Sequence, residues 1–248
     1  MMSSQNNKLV FVTGASRGIG RAIAEGFISS GFKVAVGYRD NKTTAESICE
    51  GKKNAIAVQL EINSRESIQK AKAIAEDFFA LPISILVNNA GIAQEKPFLE
   101  ITDDDWDHML GVNLRSNFTF SQEVIPEMVK NNWGRIINIS SIGGQWGGFN
   151  QVHYAAAKAG QINLTRSIAK IYSGSGITCN AIAIGLAQTD MAAREIESSE
   201  GQKKIEGIPA GRLAETSEVA ETALFLASDG GAYITGQTIN LNGGMYFV

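Results

Sequence analysis

The sequence is poor in the residues that build metal centres and disulfide frameworks. Its 248 residues include two cysteines, Cys49 and Cys179, and two histidines, His108 and His153. The cysteines lie far apart and form no Cys-x-x-Cys motif, which argues against a disulfide framework and against a zinc cage. Two histidines are too few for a histidine-rich metal site without carboxylate ligands. We therefore expect no metal at the functional site.

Charged residues and long apolar segments are also scarce. Charged residues make up 19% of the chain and the formal net charge is −3, so no global field attracts nucleic acid or an anionic membrane. No run approaches the roughly 18 apolar residues of a membrane span. The polar segment before Lys8 lacks the apolar stretch of an export signal. These absences predict a globular cytoplasmic protein without nucleic-acid or membrane partners.

Short apolar runs rich in β-branched residues recur along the whole chain. They lack the alternation of half-exposed strands. Near-continuous hydrophobicity is typical of strands that are buried on both faces of a parallel sheet, so each run predicts such a strand. The seven runs are Lys8–Thr13, Lys33–Tyr38, Asn54–Leu60, Ile83–Asn88, Arg135–Ser140, Ile177–Ala183 and Gln237–Leu241.

Segments with helical spacing fill the gaps between these runs. Alternating strands and helices predict a doubly wound (Rossmann) α/β fold, in which a seven-stranded parallel sheet is the middle layer of an α/β/α sandwich. No linker or repeat interrupts the pattern, so we expect a single domain over residues 1–248. Pro126 should break or kink its helix. The helical segments are Gly18–Ser30, Ser64–Ala80, a long segment from Thr102 to about Lys130, and a helix that opens at Thr216 or Ser217 with Glu218.

Glycine is abundant, with 26 residues, and three glycines form a phosphate-binding pattern. The first run ends in Thr13-Gly14-Ala15-Ser16-Arg17-Gly18-Ile19-Gly20, and the next residues are helical. We expect Gly14 to permit the tight turn, Gly18 to let the backbone approach a pyrophosphate, and Gly20 to allow close packing of helix on strand. The loop, with its Gly-x-x-x-Gly-x-Gly spacing, resembles that of the short-chain dehydrogenase/reductase family.

The end of the second run bears on the choice of dinucleotide. In family members that prefer NAD, an acidic residue usually occupies the position of Tyr38, whereas a following basic residue such as Arg39 marks NADP. Arg39 and Arg17 together would clamp a 2′-phosphate. Asp40 is the contrary signal, because an acid near the end of this strand bonds the ribose hydroxyl of NAD. The two arginines favour NADP over NAD.

Tyr154 and Lys158 stand four residues apart in a helical segment, which places both side chains on one face. A phenol with a pKa of about 10 needs a neighbouring cation to serve as an acid or base at neutral pH, and Lys158 offers one. Ser141, thirteen residues before Tyr154, follows the fifth run, whose carboxyl end points into the same crevice as the phosphate loop. Ser140 is an alternative to Ser141.

Further motifs extend the resemblance over residues 8 to 245. Asn88-Asn89-Ala90-Gly91, Asn113, Ser141, Tyr154 and Lys158 match the family's motifs in order and spacing. The resemblance implies that Tyr154 is the general acid/base and that Lys158 lowers its pKa and bonds the nicotinamide ribose. It also implies that Ser141 orients the substrate and that Asn113 supports a proton-relay water; the asparagines are alternatively structural amides. The implied dinucleotide contacts are Gly14, Ser16, Arg17, Gly18, Ile19, Gly20, Tyr38, Arg39, Glu61, Ile62, Asn89, Ala90, Gly91, Tyr154, Lys158, Gly185 and Thr189.

The segment after Ser141 is rich in glycine, and we expect a loop that lines the crevice on the substrate side. Trp146 is an apolar wall of that pocket or, alternatively, a packing residue. Beyond the sixth run, Gly185 follows Ile184 where the family has Pro-Gly. The chain then leads, past Thr189, into a polar helix that resembles a mobile lid. The substrate residues that we expect are Ser141, Gly143, Gln145, Trp146, Gln151 and Leu186.

Within the family, the segments Trp133–Ser141 and Leu241–Met245 resemble 3-oxoacyl-acyl-carrier-protein reductases and acetoacetyl-CoA reductases. The resemblance implies that NADPH reduces a 3-oxoacyl thioester, as in fatty acid biosynthesis, and that the chain forms a homotetramer. Acyl-carrier protein is a possible partner, but the basic docking patch is thin and Lys130, Arg166 and Lys170 would have to supply it. The alternatives are a family member that acts on another ketone, sugar or secondary alcohol, and a catalytically silent dinucleotide sensor.

Overall fold

The structure, a computed structural model, describes residues 7–189 and 199–248. Its centre is a seven-stranded parallel sheet in the order β3-β2-β1-β4-β5-β6-β7. The strands are β1 Leu9–Val12, β2 Lys33–Tyr38, β3 Ala55–Gln59, β4 Ile83–Asn88, β5 Gly134–Ser141, β6 Ile177–Ile184 and β7 Thr238–Leu241. The seven predicted strands and the Rossmann fold class are confirmed, whereas the single-domain organisation stays a prediction.

Helices connect successive strands, as parallel pairing requires. They are α1 Gly18–Ser29, α2 Lys42–Cys49, α3 Arg65–Phe79, α4 Asp103–Leu110, α5 Ser116–Lys130, α6 Gly143–Trp146, α7 Val152–Tyr172, α8 Ser199–Glu206 and α9 Thr216–Ala227. A π-turn at 111–115 joins α4 to α5. In the described ranges, no helix has both the length and the apolar character that a membrane crossing needs.

Strands β1 to β6 each contribute side chains to hydrophobic clusters on both faces of the sheet. Val10 and Val12 of β1 pack in one cluster with α1, α2 and α9, whereas Leu9 and Phe11 pack in a second cluster with α3, α5 and α7. Two-sided burial explains why the strands are apolar throughout. The strand order reverses between β1 and β4, and the crevice at the carboxyl ends beside such a reversal is where doubly wound folds bind ligands.

Pro126 was expected to break or kink its helix, and it does not break it, because α5 continues through it to Lys130. A proline inside a helix costs about 3 kcal/mol through its missing N–H and its steric clash. The neighbouring side chains Val124, Ile125 and Met128 are buried. Each contributes ~1.5–3 kcal/mol by burial, which together offsets the cost of the proline.

One expectation near another helix is confirmed and one is corrected. The helix expected to open at Thr216 or Ser217 with Glu218 begins at Thr216; its N-cap is Glu215, whose N–H donates to Glu218 Oε2 at 2.8 Å. The expected loop after Ser141 begins with the short helix α6. A Cβ atom on Gly144 would lie 2.7 Å from the carbonyl carbon of Lys158. Glycine here therefore allows α6 to pack directly on α7.

Candidate active site

The phosphate loop connects β1 to α1 and is shaped by its glycines. Gly14 and Gly18 have left-handed φ angles of +62° and +54°, which residues with a side chain rarely adopt. A Cβ atom on Gly20 would lie 2.3 Å from Asn89 Nδ2 and 2.4 Å from the Gly14 oxygen, so only glycine fits. The first turn of α1 carries no acidic residue. A helix N-terminus without negative charge suits a phosphate, so the loop fits a dinucleotide.

Asn89 and Thr13 tie this loop to the end of β4. Asn89 Nδ2 donates to the carbonyl oxygens of Thr13 and Gly14 at 2.9 and 3.1 Å. The Thr13 hydroxyl accepts the backbone N–H groups of Asn89 and Ala90, each at 2.9 Å. The Asn89 side chain therefore acts as a structural brace, which is the alternative that the sequence left open.

The carboxyl ends of β2 and β3 hold the residues expected to choose the dinucleotide. Tyr38 is buried, whereas the side chains of Arg39 and Asp40 are 59% and 68% exposed. Arg39 Nε donates to Asp40 Oδ2 at 2.7 Å, and this hydrogen bond raises the pKa of Arg39. After β3, Glu61 is exposed and Ile62 is buried. Since exposed ion pairs are weak, a phosphate can compete with Asp40 for the guanidinium.

Ser141, Tyr154 and Lys158 come together where β5 ends and α7 begins. Ser141 is the last residue of β5, and its hydroxyl accepts the Gly143 N–H at 3.1 Å. Lys158 is 4% exposed, and its ammonium donates to the Ile139 carbonyl oxygen at 2.7 Å. The Lys158 nitrogen lies 5.7 Å from the centroid of the Tyr154 ring. The three expected side chains are thus neighbours at one strand end.

Burial dominates the proton affinity of both α7 side chains. It raises the pKa of Tyr154, and a side-chain hydrogen bond with Ser141 acts in the opposite direction. Burial lowers the pKa of Lys158 to about 8. The shift at Tyr154 is opposite to the one that the family resemblance implies, because desolvation outweighs the neighbouring groups. At neutral pH the phenol holds its proton and the ammonium is mostly charged.

Ser140, the alternative to Ser141, belongs to the packing between β5 and α7. Its hydroxyl donates to the Lys158 carbonyl oxygen at 3.2 Å. Nearby, Asn138 Nδ2 donates to Thr165 Oγ1 at 2.8 Å, and Asn138 Oδ1 accepts from Asn88 Nδ2 at 2.8 Å. These buried hydrogen bonds join β4, β5 and α7, so Ser140 and Asn88 act as structural residues.

Asn113 lies in the π-turn and is fully buried. Its Nδ2 donates to the Ile92 oxygen at 2.9 Å, and its Oδ1 accepts the Ile92 N–H at 3.1 Å. A Cβ atom on Gly91 would lie 2.6 Å from Asn113 Oδ1, so the two segments touch. The amide fixes the chain just after β4. Its role with a relay water stays a prediction, at a kind of helix irregularity that is frequent at functional sites.

The expected substrate residues do not all face one pocket. Trp146 is 50% exposed and contacts Tyr246 edge to face, with ring centroids 5.7 Å apart. Gln145 lines a cleft of about 540 Å³ that also includes Arg166. Leu186 lines a different cleft of about 550 Å³ beside α9. Trp146 therefore makes a packing contact, which is one of the two roles expected for it. Gln145 and Leu186 line different clefts.

The remaining expected residues lie beyond β6 and at the start of α7. Gly185 donates to the Leu241 oxygen at 2.9 Å. A Cβ atom on Gly18 would lie 3.7 Å from Thr189 Cγ2, so Thr189 lies beside the phosphate loop. Gln151 Nε2 donates to Glu95 Oε1 at 3.2 Å. The chain was expected to lead past Thr189 into a polar helix that acts as a lid. Residues 190–198 lie outside the described residues, and the polar helix α8 Ser199–Glu206 follows them; its role as a lid stays a prediction.

A partly buried hydrogen bond beside Tyr154 was not predicted from the sequence. His153 has no exposed surface, and its Nε2 lies 2.8 Å from Gln94 Oε1. Gln94 Nε2 in turn donates to Asp105 Oδ1 at 3.0 Å. The available signal was a histidine directly before Tyr154. Its partner is 59 residues away, which no local pattern reveals.

Known proteins share this fold and sequence along nearly the whole chain. Residues 14–246 match the family model described as enoyl-(acyl carrier protein) reductase. The 3-oxoacyl-[acyl-carrier-protein] reductase FabG of Aquifex aeolicus is 42% identical over 245 residues, covering 96% of this chain and 97% of the relative. The enzyme of the same name from Pseudomonas aeruginosa is 40% identical over 247 residues, covering 98% and 99%. A solved structure of a putative gluconate dehydrogenase from Agrobacterium tumefaciens has a TM-score of 0.92 and 33% identity, covering 98% of each chain.

The Rossmann sheet, the glycine loop and the Ser141, Tyr154 and Lys158 cluster define an oxidoreductase that works with a nicotinamide dinucleotide. With relatives this similar over nearly its full length, the chain belongs to the short-chain dehydrogenase/reductase family. The family resemblance noted from its motifs is confirmed.

Proposed function

We propose that the protein reduces the ketone of a 3-oxoacyl thioester to the 3-hydroxyacyl product with NADPH. The observation that carries the proposal is the cluster of Ser141, Tyr154 and Lys158 at the crevice that also holds the phosphate loop. Relatives that are 42% and 40% identical bear the name 3-oxoacyl-[acyl-carrier-protein] reductase, which supports this substrate class.

Bound NADPH supplies the hydride, and the chain's own residues hold the dinucleotide, orient the ketone and deliver the proton. The phosphate loop takes the pyrophosphate at the N-terminus of α1. Arg17 and Arg39 take the 2′-phosphate, since a guanidinium matches a phosphate with two parallel hydrogen bonds. The other dinucleotide contacts lie at strand ends or along α7, and they are Tyr38, Glu61, Ile62, Asn89, Ala90, Gly91, Tyr154, Lys158, Gly185 and Thr189.

Tyr154 delivers a proton to the ketone oxygen as negative charge develops there. Its raised pKa keeps it protonated at neutral pH, which suits a donor. The Ser141 hydroxyl orients the ketone, and the Lys158 ammonium stabilises the tyrosinate that forms and bonds the nicotinamide ribose. Asn113 supports the water that returns the proton. A positioned donor of this kind contributes ~10²–10⁴-fold in rate.

The thioester carrier is coenzyme A or acyl-carrier protein. Arg166 and Lys170 are exposed one turn apart on α7, and an acidic carrier protein would dock on them together with Lys130. Gly143, Gln151, Trp146 and Leu186 would border the acyl part. We assign the protein to the cytoplasm, the default compartment expected from the sequence, and to a homotetramer, as the family resemblance implies.

A sugar-acid or other secondary-alcohol substrate is the second candidate. It is favoured by one observation, the structural neighbour described as a putative gluconate dehydrogenase. A silent dinucleotide sensor would have no use for the Ser141, Tyr154 and Lys158 cluster.

A panel of carbonyl compounds tests the proposal. Purified protein is mixed with NADPH or NADH and with acetoacetyl-CoA, acetoacetyl-N-acetylcysteamine, a cyclic ketone or a keto sugar acid, and loss of NADPH absorbance is followed. We expect the two thioesters to be reduced fastest and NADPH to be preferred. Reduction of the sugar acid or the cyclic ketone with no activity on either thioester would reject the thioester substrate and retain the family chemistry.

A further inference from the structure

Tyr154 lies in a helix turn that has little support of its own. It is the third residue of α7, and the N-cap residue, Gln151, makes no side-chain capping hydrogen bond. The first N–H groups of a helix have no partner within it, so an uncapped first turn is weakly held. Asn150, just before the cap, has a left-handed φ of +54°, which is uncommon outside glycine. Contacts from another part of the chain have to hold this turn.

Residues 94–96, which follow β4, supply those contacts. The backbone N–H of Lys96 donates to the Asn150 oxygen at 2.8 Å. His153 Nε2 lies 2.8 Å from Gln94 Oε1, and His153 is fully buried directly before Tyr154. Its other ring nitrogen, Nδ1, is also buried and has no hydrogen-bond partner within the part of the chain that the structure describes. Gln94 is therefore the polar anchor of this ring.

Asp105 fixes the orientation of the Gln94 side-chain amide. Gln94 Nε2 donates to Asp105 Oδ1 at 3.0 Å, and a carboxylate only accepts, so the Gln94 oxygen faces His153 and His153 Nε2 carries the donated proton. Lys96 and Thr102 donate to the other carboxylate oxygen at 2.6 and 2.7 Å. The hydrogen bond from Lys96, with those from Thr102 and Gln94, holds the pKa of Asp105 well below its usual range. Asp105 thus remains a carboxylate at any working pH.

We propose that this Asp105–Gln94–His153 bridge positions Tyr154 for proton transfer, with Gln94 and His153 as positioning residues. The inference rests on the proposed function, in which Tyr154 is the proton donor. Without the Gln94 bond, the buried ring and the helix turn next to it lose their fixed place. A displacement of about 1 Å in a reacting group costs on the order of 100-fold in rate.

Gln94→Met tests the bridge, because methionine keeps the length of the side chain and removes both hydrogen bonds. We expect kcat to fall about tenfold or more while KM and the NADPH Kd change less than about twofold, since proton delivery acts only in the transition state. The assay uses the ketone that the carbonyl panel shows to react fastest. Gln69→Met is the matched control, because the Gln69 amide also donates to a carboxylate, that of Glu123, and lies on α3. A loss at Gln94→Met no larger than at Gln69→Met overturns the proposal.

Histidine variants separate positioning from general packing. His153→Gln keeps a donor for Gln94, whereas His153→Leu does not, so we expect His153→Leu to match Gln94→Met and His153→Gln to keep about half or more of the wild-type kcat. The double variant Gln94→Met/His153→Leu should be no slower than the slower single variant, because both remove one interaction. Losses that multiply, or equal losses in His153→Gln and His153→Leu, contradict the proposal.

Folding and the proposed function are checked beside these variants. If circular dichroism shows that Gln94→Met does not fold, Gln94→Asn, which is too short to reach both partners, replaces it with the same expected result. Failure of both to fold overturns the proposal, because the bridge then holds the fold rather than Tyr154. An inactive Tyr154→Phe with a fully active Gln94→Met rejects the bridge alone, whereas an active Tyr154→Phe rejects the proposed proton donor.

Discussion

The two halves of the sheet hold their parts of the site by different means. In residues 7–87, which include β1, β2 and β3, the buried polar side chains are Thr13 and Ser16. From Asn88 onward they are numerous and include Asn138 and Lys158. Residues 7–87 present glycine backbone to a ligand, and we call them the backbone half. The residues from Asn88 onward present side chains that are held by other buried side chains, and we call them the side-chain half.

This difference decides what each half tolerates. A backbone-shaped loop depends on the absence of side chains, so adding a methyl group is its most damaging change. A site built from side chains depends on buried hydrogen bonds, so removing one polar atom without changing volume is its most damaging change. Substitutions that remove one polar atom or add one methyl group can therefore show which kind of site a residue belongs to.

Tyr154→Phe should cause the largest loss of activity. It should affect the function of the side-chain half and leave dinucleotide binding by the backbone half unchanged. Loss of the phenolic proton should lower kcat at least about 100-fold, because proton donation is then left to water. The NADPH Kd, measured by fluorescence titration, should remain within about twofold of the wild-type value, since the ring is retained. Activity above a few per cent of wild type would exclude Tyr154 as the donor.

Gly20→Ala should be the counterpart in the backbone half. The new Cβ atom would lie 2.3 Å from Asn89 Nδ2 and 2.4 Å from the Gly14 oxygen, so the loop has to shift. We expect a loss of ~1–3 kcal/mol in the free energy of unfolding, typical of overpacking, and at least about tenfold weaker NADPH binding. Gly174→Ala is the control, because its Cβ atom would meet nothing within 4 Å. Equal effects at both positions would contradict the close packing of the loop.

The backbone half was also the more predictable from sequence. Its signals are local: continuous apolar runs for β1 and β2, and the glycine spacing of 14, 18 and 20, which the contacts at Gly20 explain. The catalytic trio was predictable as well, since Ser141, Tyr154 and Lys158 are close in sequence. Each of these signals lies within one short segment of the chain, and the longest, from Ser141 to Lys158, still joins neighbouring elements.

The supports of the catalytic side were not predictable in the same way. The Gln94–His153 hydrogen bond joins residues 59 apart, and the Asn88–Asn138 bond joins residues 50 apart. The glycine-rich segment after Ser141 was expected to be a loop, because glycine marks loops and close packing equally well. Only the contact of Gly144 with α7 shows that this glycine serves close packing and not a loop.

The pH dependence of reduction should show a smaller effect, again in the side-chain half. Because burial lowers the pKa of Lys158 to about 8, its ammonium is lost as the pH rises through that value. Tyr154, whose pKa is raised, keeps its proton there. We expect kcat/KM for reduction to fall above about pH 8, approaching tenfold per pH unit.

Unfolding should not explain that fall. Between the lowered pKa of Lys158 and its ordinary value of 10.5, the unfolded chain binds this proton and the folded chain does not, so this group makes the free energy of unfolding rise with pH. Thermal melts across the same pH range check the sign. A flat kcat/KM profile through pH 9 would show that the charge on Lys158 does not contribute to reduction.

Arg39→Ala should have the smallest effect. It lies in the backbone half and should change only the affinity for the dinucleotide. Removing the guanidinium leaves the 2′-phosphate with Arg17 alone, so we expect NADPH to bind about three- to tenfold more weakly, as for loss of one exposed charge-assisted hydrogen bond. NADH, which lacks that phosphate, should bind with unchanged affinity. Arg21→Ala is the matched control, because Arg21 is an exposed arginine of α1 that pairs with Glu25. If NADH binds as tightly as NADPH before the change, or if a preference for NADH is found and persists in Arg39→Ala, Asp40 and not Arg39 determines the choice of dinucleotide.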